Sequence, residues 1–229
     1  MNPSRFGGEF TPNSVDGCMV WLDAAQGVTV DGSNLVSTWA DQSAEGNDFV
    51  QVTASKQPLW DEVDSQFNNL SSVQFDGSDD WMYNTAFTTS WVGDWRFYLV
   101  CNAALGGSEN VEKWWFDGTS TRRPIFYTRG ASPPGNRYAI QNGTFINPTT
   151  PETSGSPVIF RGTYSTTVGT LTRNGVSVFP VGDTGNDGAN GLSLAANYAG
   201  GIPSPLHLAE LIFYDNIPSS DDDTAIVDY

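Results

Sequence analysis

Three scarcities frame this sequence. Of its 229 residues one is histidine, His207, and two are cysteine, Cys18 and Cys101. A single histidine excludes a two-histidine metal site, and the lack of a Cys-x-x-Cys pair removes the common zinc and redox spacings. Both cysteines sit in apolar runs, CMVWL and FYLVCNA. Buried free thiols are the expectation there, with a disulfide across the core as the alternative. Basic residues are the third scarcity. Ten Lys and Arg face 26 Asp and Glu, a net charge of −16. Such a surface repels phosphate backbones and anionic lipid heads, so neither nucleic acid nor a membrane surface is expected as a direct partner. Solubility explains the acidity; salt tolerance or a basic docking partner is the functional reading. No apolar run approaches the roughly 20 residues of a membrane helix. The opening stretch MNPSRFGGEFTPNSVDG has no apolar segment of the signal-peptide kind.

What is present points to β structure. Eight Trp, 13 Phe and eight Tyr supply bulky mass for one core, while 24 Gly and 13 Pro punctuate the whole chain. That distribution predicts many short strands joined by turns. Residues 1–14 read as an extended arm and 15–229 as one domain. Trp95–Ala103 (WRFYLVCNA) is a near-continuous apolar run, the mark of a strand buried in a sandwich. Leu59–Leu70 reads as irregular and acidic. Asn142-Gly143 and Asn174-Gly175 each predict a two-residue hairpin. The one helix expected is C-terminal, where Ser219 caps an Asp221-Asp222-Asp223 first turn suited to the helix dipole.

Several motifs in order carry a resemblance. They are Val20-Trp21-Leu22-Asp23-Ala24, Trp39-Ala40-Asp41-Gln42-Ser43, Val73-Gln74-Phe75-Asp76-Gly77 running to Trp81, the Thr170–Val176 stretch with its Asn-Gly, and the closing Leu208–Asp215. Together they resemble the concanavalin A-like lectin/glucanase (laminin G-like) superfamily over roughly residues 10–229. The resemblance implies an all-β, two-sheet antiparallel jelly-roll sandwich with an extended N-terminal arm and a short C-terminal helix. Domains of this style occur in bacterial surface proteins and bacteriophage virion proteins. The expectation is therefore a non-catalytic virion accessory protein, for capsid decoration or tail and fibre association, aiding particle stability or host attachment. Its location would be the virion, reached from the host cytoplasm without a signal peptide. A carbohydrate-binding adhesin module on a bacterial surface is the alternative, and a polysaccharide hydrolase or lyase the third reading. Partners would be other virion proteins or a host-surface glycan, with a homo-oligomer left open.

Enzymes of the superfamily carry paired carboxylates on one strand as E-x-D-x-x-E, about 5–5.5 Å apart for a retaining glycosidase. The nearest match here, Glu62-Val63-Asp64, has Phe67 where the acid belongs, so no enzyme is expected. His207, in the alternating run LHLAELIF, reads as structural or exposed. Ring faces stack on the C–H faces of sugars and polar neighbours accept hydroxyls. On that ground Trp81, Tyr83, Trp91, Trp114, Trp115, Tyr127, Arg129, Tyr138 and Asn142 are candidate carbohydrate contacts. Trp114 and Trp115, being adjacent, should point to opposite faces of a strand. No cofactor is required, but calcium suits acidic loops because it takes 6–8 hard oxygens. Asp183, Asn186 and Asp187 are the candidate ligands, and Asp76, Asp79 and Asp80 offer a second loop. Arg5, Phe6 and Phe10 would anchor the arm to a partner.

Overall fold

The structure, a computed structural model, describes residues 10–102, 112–120, 122–130, 136–144, 156–178 and 181–229. The first six strands are β1 (Cys18–Asp23), β2 (Val28–Val30), β3 (Val36–Trp39), β4 (Phe49–Val50), β5 (Leu59–Asp64) and β6 (Leu70–Asp76). Then come β7 (Met82–Asn84), β8 (Trp95–Asn102), β9 (Lys113–Asp117), β10 (Ile125–Gly130) and β11 (Asn136–Gln141). The last are β12 (Val158–Tyr164), β13 (Thr170–Arg173), β14 (Val176–Ser177), β15 (Leu192–Leu194) and β16 (Pro205–Tyr214), before helix α1 (Ser220–Asp228). They pair antiparallel into two sheets. The first runs β14-β13-β12-β8-β16-β6-β5, with β1 also on β16; the second runs β11-β10-β9-β15-β7-β4-β3-β2. The fold is a two-sheet β-sandwich with one short C-terminal helix.

Alternation explains the core. Along β8, Trp95, Phe97, Leu99 and Cys101 turn inward with at most 1% exposure, while Arg96, Tyr98, Val100 and Asn102 face out of the first sheet. The inward rings of the two sheets interlock, as in the 5.0 Å edge-to-face contact of Phe97 with Phe116. Cys18 and Cys101 are free thiols, and burial pushes both well above the ordinary thiol value.

Asn174-Gly175 makes the tight hairpin. Arg173 pairs with Val176, and the two turn residues take φ of 49° and 76°, which asparagine and glycine tolerate. The strand expected to return after Asn142-Gly143 lies outside the described residues. Asn142 N–H donates to Thr184 O at 2.6 Å, so the turn itself is fastened to a distant loop. Leu59–Asp64 is not irregular. It forms edge strand β5, whose charged residues are tolerated because one face meets solvent.

Helix α1 is capped as the serine predicts, with Asp222 N–H donating to Ser219 Oγ at 3.3 Å. It lies on the outer face of the first sheet. Ile226 packs there with Trp21, Tyr98, Ile212 and Tyr214, and Asp223 receives Arg96 at 2.8 Å, Arg161 and the Tyr98 hydroxyl. Phe10 is half-buried 5.7 Å from the Tyr229 ring. It therefore packs on the protein's own C-terminus. Arg5 and Phe6 lie outside the described residues.

Candidate functional site

The outer face of the second sheet gathers the groups best suited to a ligand. One cross-strand row runs along this face. Val50 is paired with Tyr83, Tyr83 with Ser193, and Ser193 with Asp117. Their neighbours Phe49, Met82, Leu194 and Phe116 point the other way, into the core. On β9 the register shifts against β10, so Trp115 and Phe116 both turn inward. Trp114 and Asp117 are thereby set outside, a re-aiming typical of a bulge.

Asp117 has no exposure, yet it is fully partnered. Arg123 Nη2 donates to its Oδ2 at 2.6 Å and Arg123 Nε to its Oδ1 at 3.2 Å. Tyr198 N–H also donates to Oδ2, at 3.0 Å. Hydrogen bonding to Asp117, which outweighs the opposing effect of burial, holds the guanidinium above its ordinary pKa. The guanidinium then lies over the Tyr198 ring, 4.7 Å from its centre. Both remain accessible, the Arg123 side chain at 39% and Tyr198 at 45%. Trp81 and Tyr83, half-buried, pack 4.8 Å apart on the same side. The turn after Tyr198 brings Gly200 against the Trp81 ring, where no Cβ could fit. Tyr83 and Asp117 stand two strand spacings apart, or ~10 Å. Trp114 stacks on Tyr127 at 4.8 Å, and its buried indole N–H has no partner.

The other expected contacts are interior. Trp91 (5% exposed) stacks on Phe87 at 5.1 Å, Trp115 (2%) stacks on Phe126 at 4.5 Å, and Tyr138 (2%) belongs to the same core cluster. Asn142, in the amide orientation that satisfies its surroundings, accepts from Trp95 Nε1 at 3.0 Å. These four fill the sandwich, which corrects their expected place on a sugar platform. Of the Arg129 side chain nothing is described. Asp117, Arg123 and Tyr198 were missed because they are 81 positions apart at the extremes, and no local pattern links them.

The expected calcium loop is occupied with its own backbone. Asp183 Oδ1 accepts from Gly185 N–H at 2.8 Å, and the Asp187 carboxylate lies over Gly143. Asp76, Asp79 and Asp80 converge, each offering an oxygen within 4.8 Å of the others. Three oxygens fall short of the shell calcium needs. They also hold their own turn, with Ser78 N–H on Asp76 Oδ1 at 2.7 Å and Asp76 N–H on Asp80 Oδ2 at 3.1 Å. Burial, with the charges of Asp76 and Asp79 adding to it, pushes the Asp80 carboxyl up to about 6.

Comparison with known proteins places this fold. No family model and no curated protein matches the chain. Among solved structures it is similar to Trypanosoma rangeli sialidase in complex with 2,3-difluorosialic acid, with a TM-score of 0.60 and 11% identity over 90% of this chain and 32% of that one. It is also similar to an arabinofuranosidase complexed with arabinofuranosyl-alpha-1,2-xylobiose, with a TM-score of 0.59 and 12% identity over 84% of this chain and 49% of that one. A GH54 α-L-arabinofuranosidase gives 0.57 and 13% identity over 93% of this chain and 59% of that one. The chain thus spans about a third of the sialidase and less than two thirds of either arabinofuranosidase. These neighbours are glycoside hydrolases. That corrects the expectation of a non-catalytic virion accessory protein: the shared architecture is a lectin-like β-sandwich found within carbohydrate-active enzymes.

Proposed function

We propose that this chain is a carbohydrate-active, concanavalin A-like domain that holds a saccharide on the outer face of its second sheet. The observation that carries the reading is the buried Asp117 fixing Arg123 over the exposed Tyr198 ring, in one cross-strand row with Tyr83, whose ring packs on Trp81. Rings of this kind take the apolar face of a pyranose or furanose. The Arg123 N–H groups not used by Asp117 donate to ring or hydroxyl oxygens. Pre-fixing the guanidinium lowers the ordering cost of binding, because its rotamer is already set. The names of the solved neighbours support the ligand class, though not the sugar.

Tyr198→Ala is expected to weaken binding about tenfold, equivalent to about 1.4 kcal/mol. Trp81→Ala should have a similar effect, with the fold intact by circular dichroism. A glycan array followed by calorimetry on the best ligand measures both. No retention of any glycan by the wild-type domain would overturn the reading. Binding indifferent to both substitutions would remove this face as the site.

A further inference from the structure

The opposite side of the sandwich carries a second, unrelated constellation. Leu59, Gln74, His207 and Asn102 form one cross-strand row over β5, β6, β16 and β8, on the outer face of the first sheet. His207 Nδ1 lies 2.8 Å from Asp64 Oδ2. Asp64 is 2% exposed and is held from several sides. Ser72 Oγ donates to Oδ2 at 2.7 Å, Gln74 Nε2 to Oδ2 at 3.2 Å, and Gln66 N–H to Oδ1 at 2.8 Å. Burial alone would raise this carboxyl. The hydrogen bonds from Ser72, His207 and Gln66 outweigh it and keep Asp64 below the usual carboxylate range. Nδ1 faces Asp64 Oδ2 at 2.8 Å and the Gln66 amide nitrogen at 3.3 Å; the nearer, ionised carboxylate keeps the proton of a neutral imidazole on Nδ1. The lone pair is then on Nε2, which forms no hydrogen bond among the described residues, on a side chain 17% exposed. Next to it, Asn102 is 2% exposed, donates through Nδ2 to Gln66 and leaves Oδ1 buried without a partner.

This is more apparatus than a structural histidine needs. A buried carboxylate with four donors, fixing one tautomer and presenting the other nitrogen, is how proteins build a general base. We propose that His207 and Asp64 form a proton-accepting site for a bound hydroxyl, either water or an alcohol such as a sugar hydroxyl. In the step, the ligand O–H bond breaks, its proton forms the Nε2–H bond, and the electron pair stays on oxygen as the nucleophile. Asp64 stabilises the imidazolium. When the oxygen attacks an ester carbonyl, the departing alkoxide takes the proton back from Nε2, so water and ester give acid and alcohol with no redox change. His207 is the catalytic residue, and Asp64 is a positioning residue. The charged groups facing the imidazole among the described residues are Asp64 and, through the Gln74 amide, Asp61.

His207 is the only histidine, so its signals are unambiguous. Side-chain ¹⁵N NMR is expected to show the Nδ1–H tautomer above its titration. The full chain should hydrolyse p-nitrophenyl acetate with a pH profile inflecting at the His207 pKa found by NMR. His207→Gln should lower that rate at least about tenfold, the low end of general-base contributions being higher still. Asp64→Asn should lower it as well and shift the tautomer toward Nε2–H. An Nε2–H tautomer in the wild type would overturn the proposal, and this needs no variant to fold. So would a hydrolysis rate unchanged in His207→Gln. Since this site shares no residue with the sugar face, loss of saccharide binding there leaves the test intact.

Discussion

Acidification from pH 8 to pH 5 is expected to raise the melting temperature of this protein. Glu210 is the main cause. It is half-buried beneath Trp21, whose indole N–H donates to it at 2.9 Å. Burial, with the charge of Asp23 adding to it, pushes its carboxyl from 4.5 up to about 7 despite that hydrogen bond. A carboxyl whose folded value lies above its unfolded value binds protons more tightly in the folded state. Its stabilising contribution is therefore full below pH about 4.5 and lost as pH rises through about 7. Asp80 acts in the same sense between 3.8 and about 6. Asp64 and Asp76 act in the opposite sense, since both are held below the ordinary value and lose their contribution only under acid conditions below pH about 4. Stability should therefore peak near pH 5. Discounted for partial exposure, the Glu210 contribution is about 2 kcal/mol. Glu210→Gln keeps an acceptor for Trp21, so it should melt higher than wild type at pH 8 and flatten the profile. Scanning calorimetry at pH 8, 6.5 and 5 measures this. A melting temperature that falls on going to pH 5 would sink the assignment.

Phe97→Ala is expected to cost about 4 kcal/mol, the range for removing a fully buried ring. Phe97 stands at the meeting point of both sheets, with Phe116, Phe126, Tyr164 and Phe213 ring centres at 5.0–6.0 Å. Gly162 on β12 lies directly beneath it, and a Cβ there would run into the ring. Gly162→Val should therefore overpack and cost about 3 kcal/mol alone. In the Phe97→Ala background it should cost less, since the ring it strikes is gone. Urea denaturation of the two single variants and the double variant gives the coupling directly. Strict additivity of the two costs would show that ring and glycine do not compete for the same space.

The stretches whose structure depends on neighbours in sequence were legible. The alternation of Trp95–Asn102 predicts a buried strand, Asn174-Gly175 supplies the positive φ a two-residue turn needs, and Ser219 with three aspartates starts a helix. These follow from side-chain period, backbone sterics and capping, which act over a few residues. Leu59–Asp64 misled because edge strands accept charge, and its pairing with β6 is what makes it a strand.

The sites were not legible, because each is made by distant parts of the chain. A bulge in β9 decides which of Trp114 and Trp115 faces outward, and no local pattern marks it. Asp117, Arg123 and Tyr198 meet only because β9 and β15 are adjacent, and Asp64 reaches His207 across 143 positions. By itself the sequence determined an acidic β-sandwich with a C-terminal helix, since apolar period and turn chemistry are local. Only the tertiary structure decided which rings are core and which carboxylates are paired. Burial and ion pairing depend on what the second sheet and the far end of the chain bring alongside.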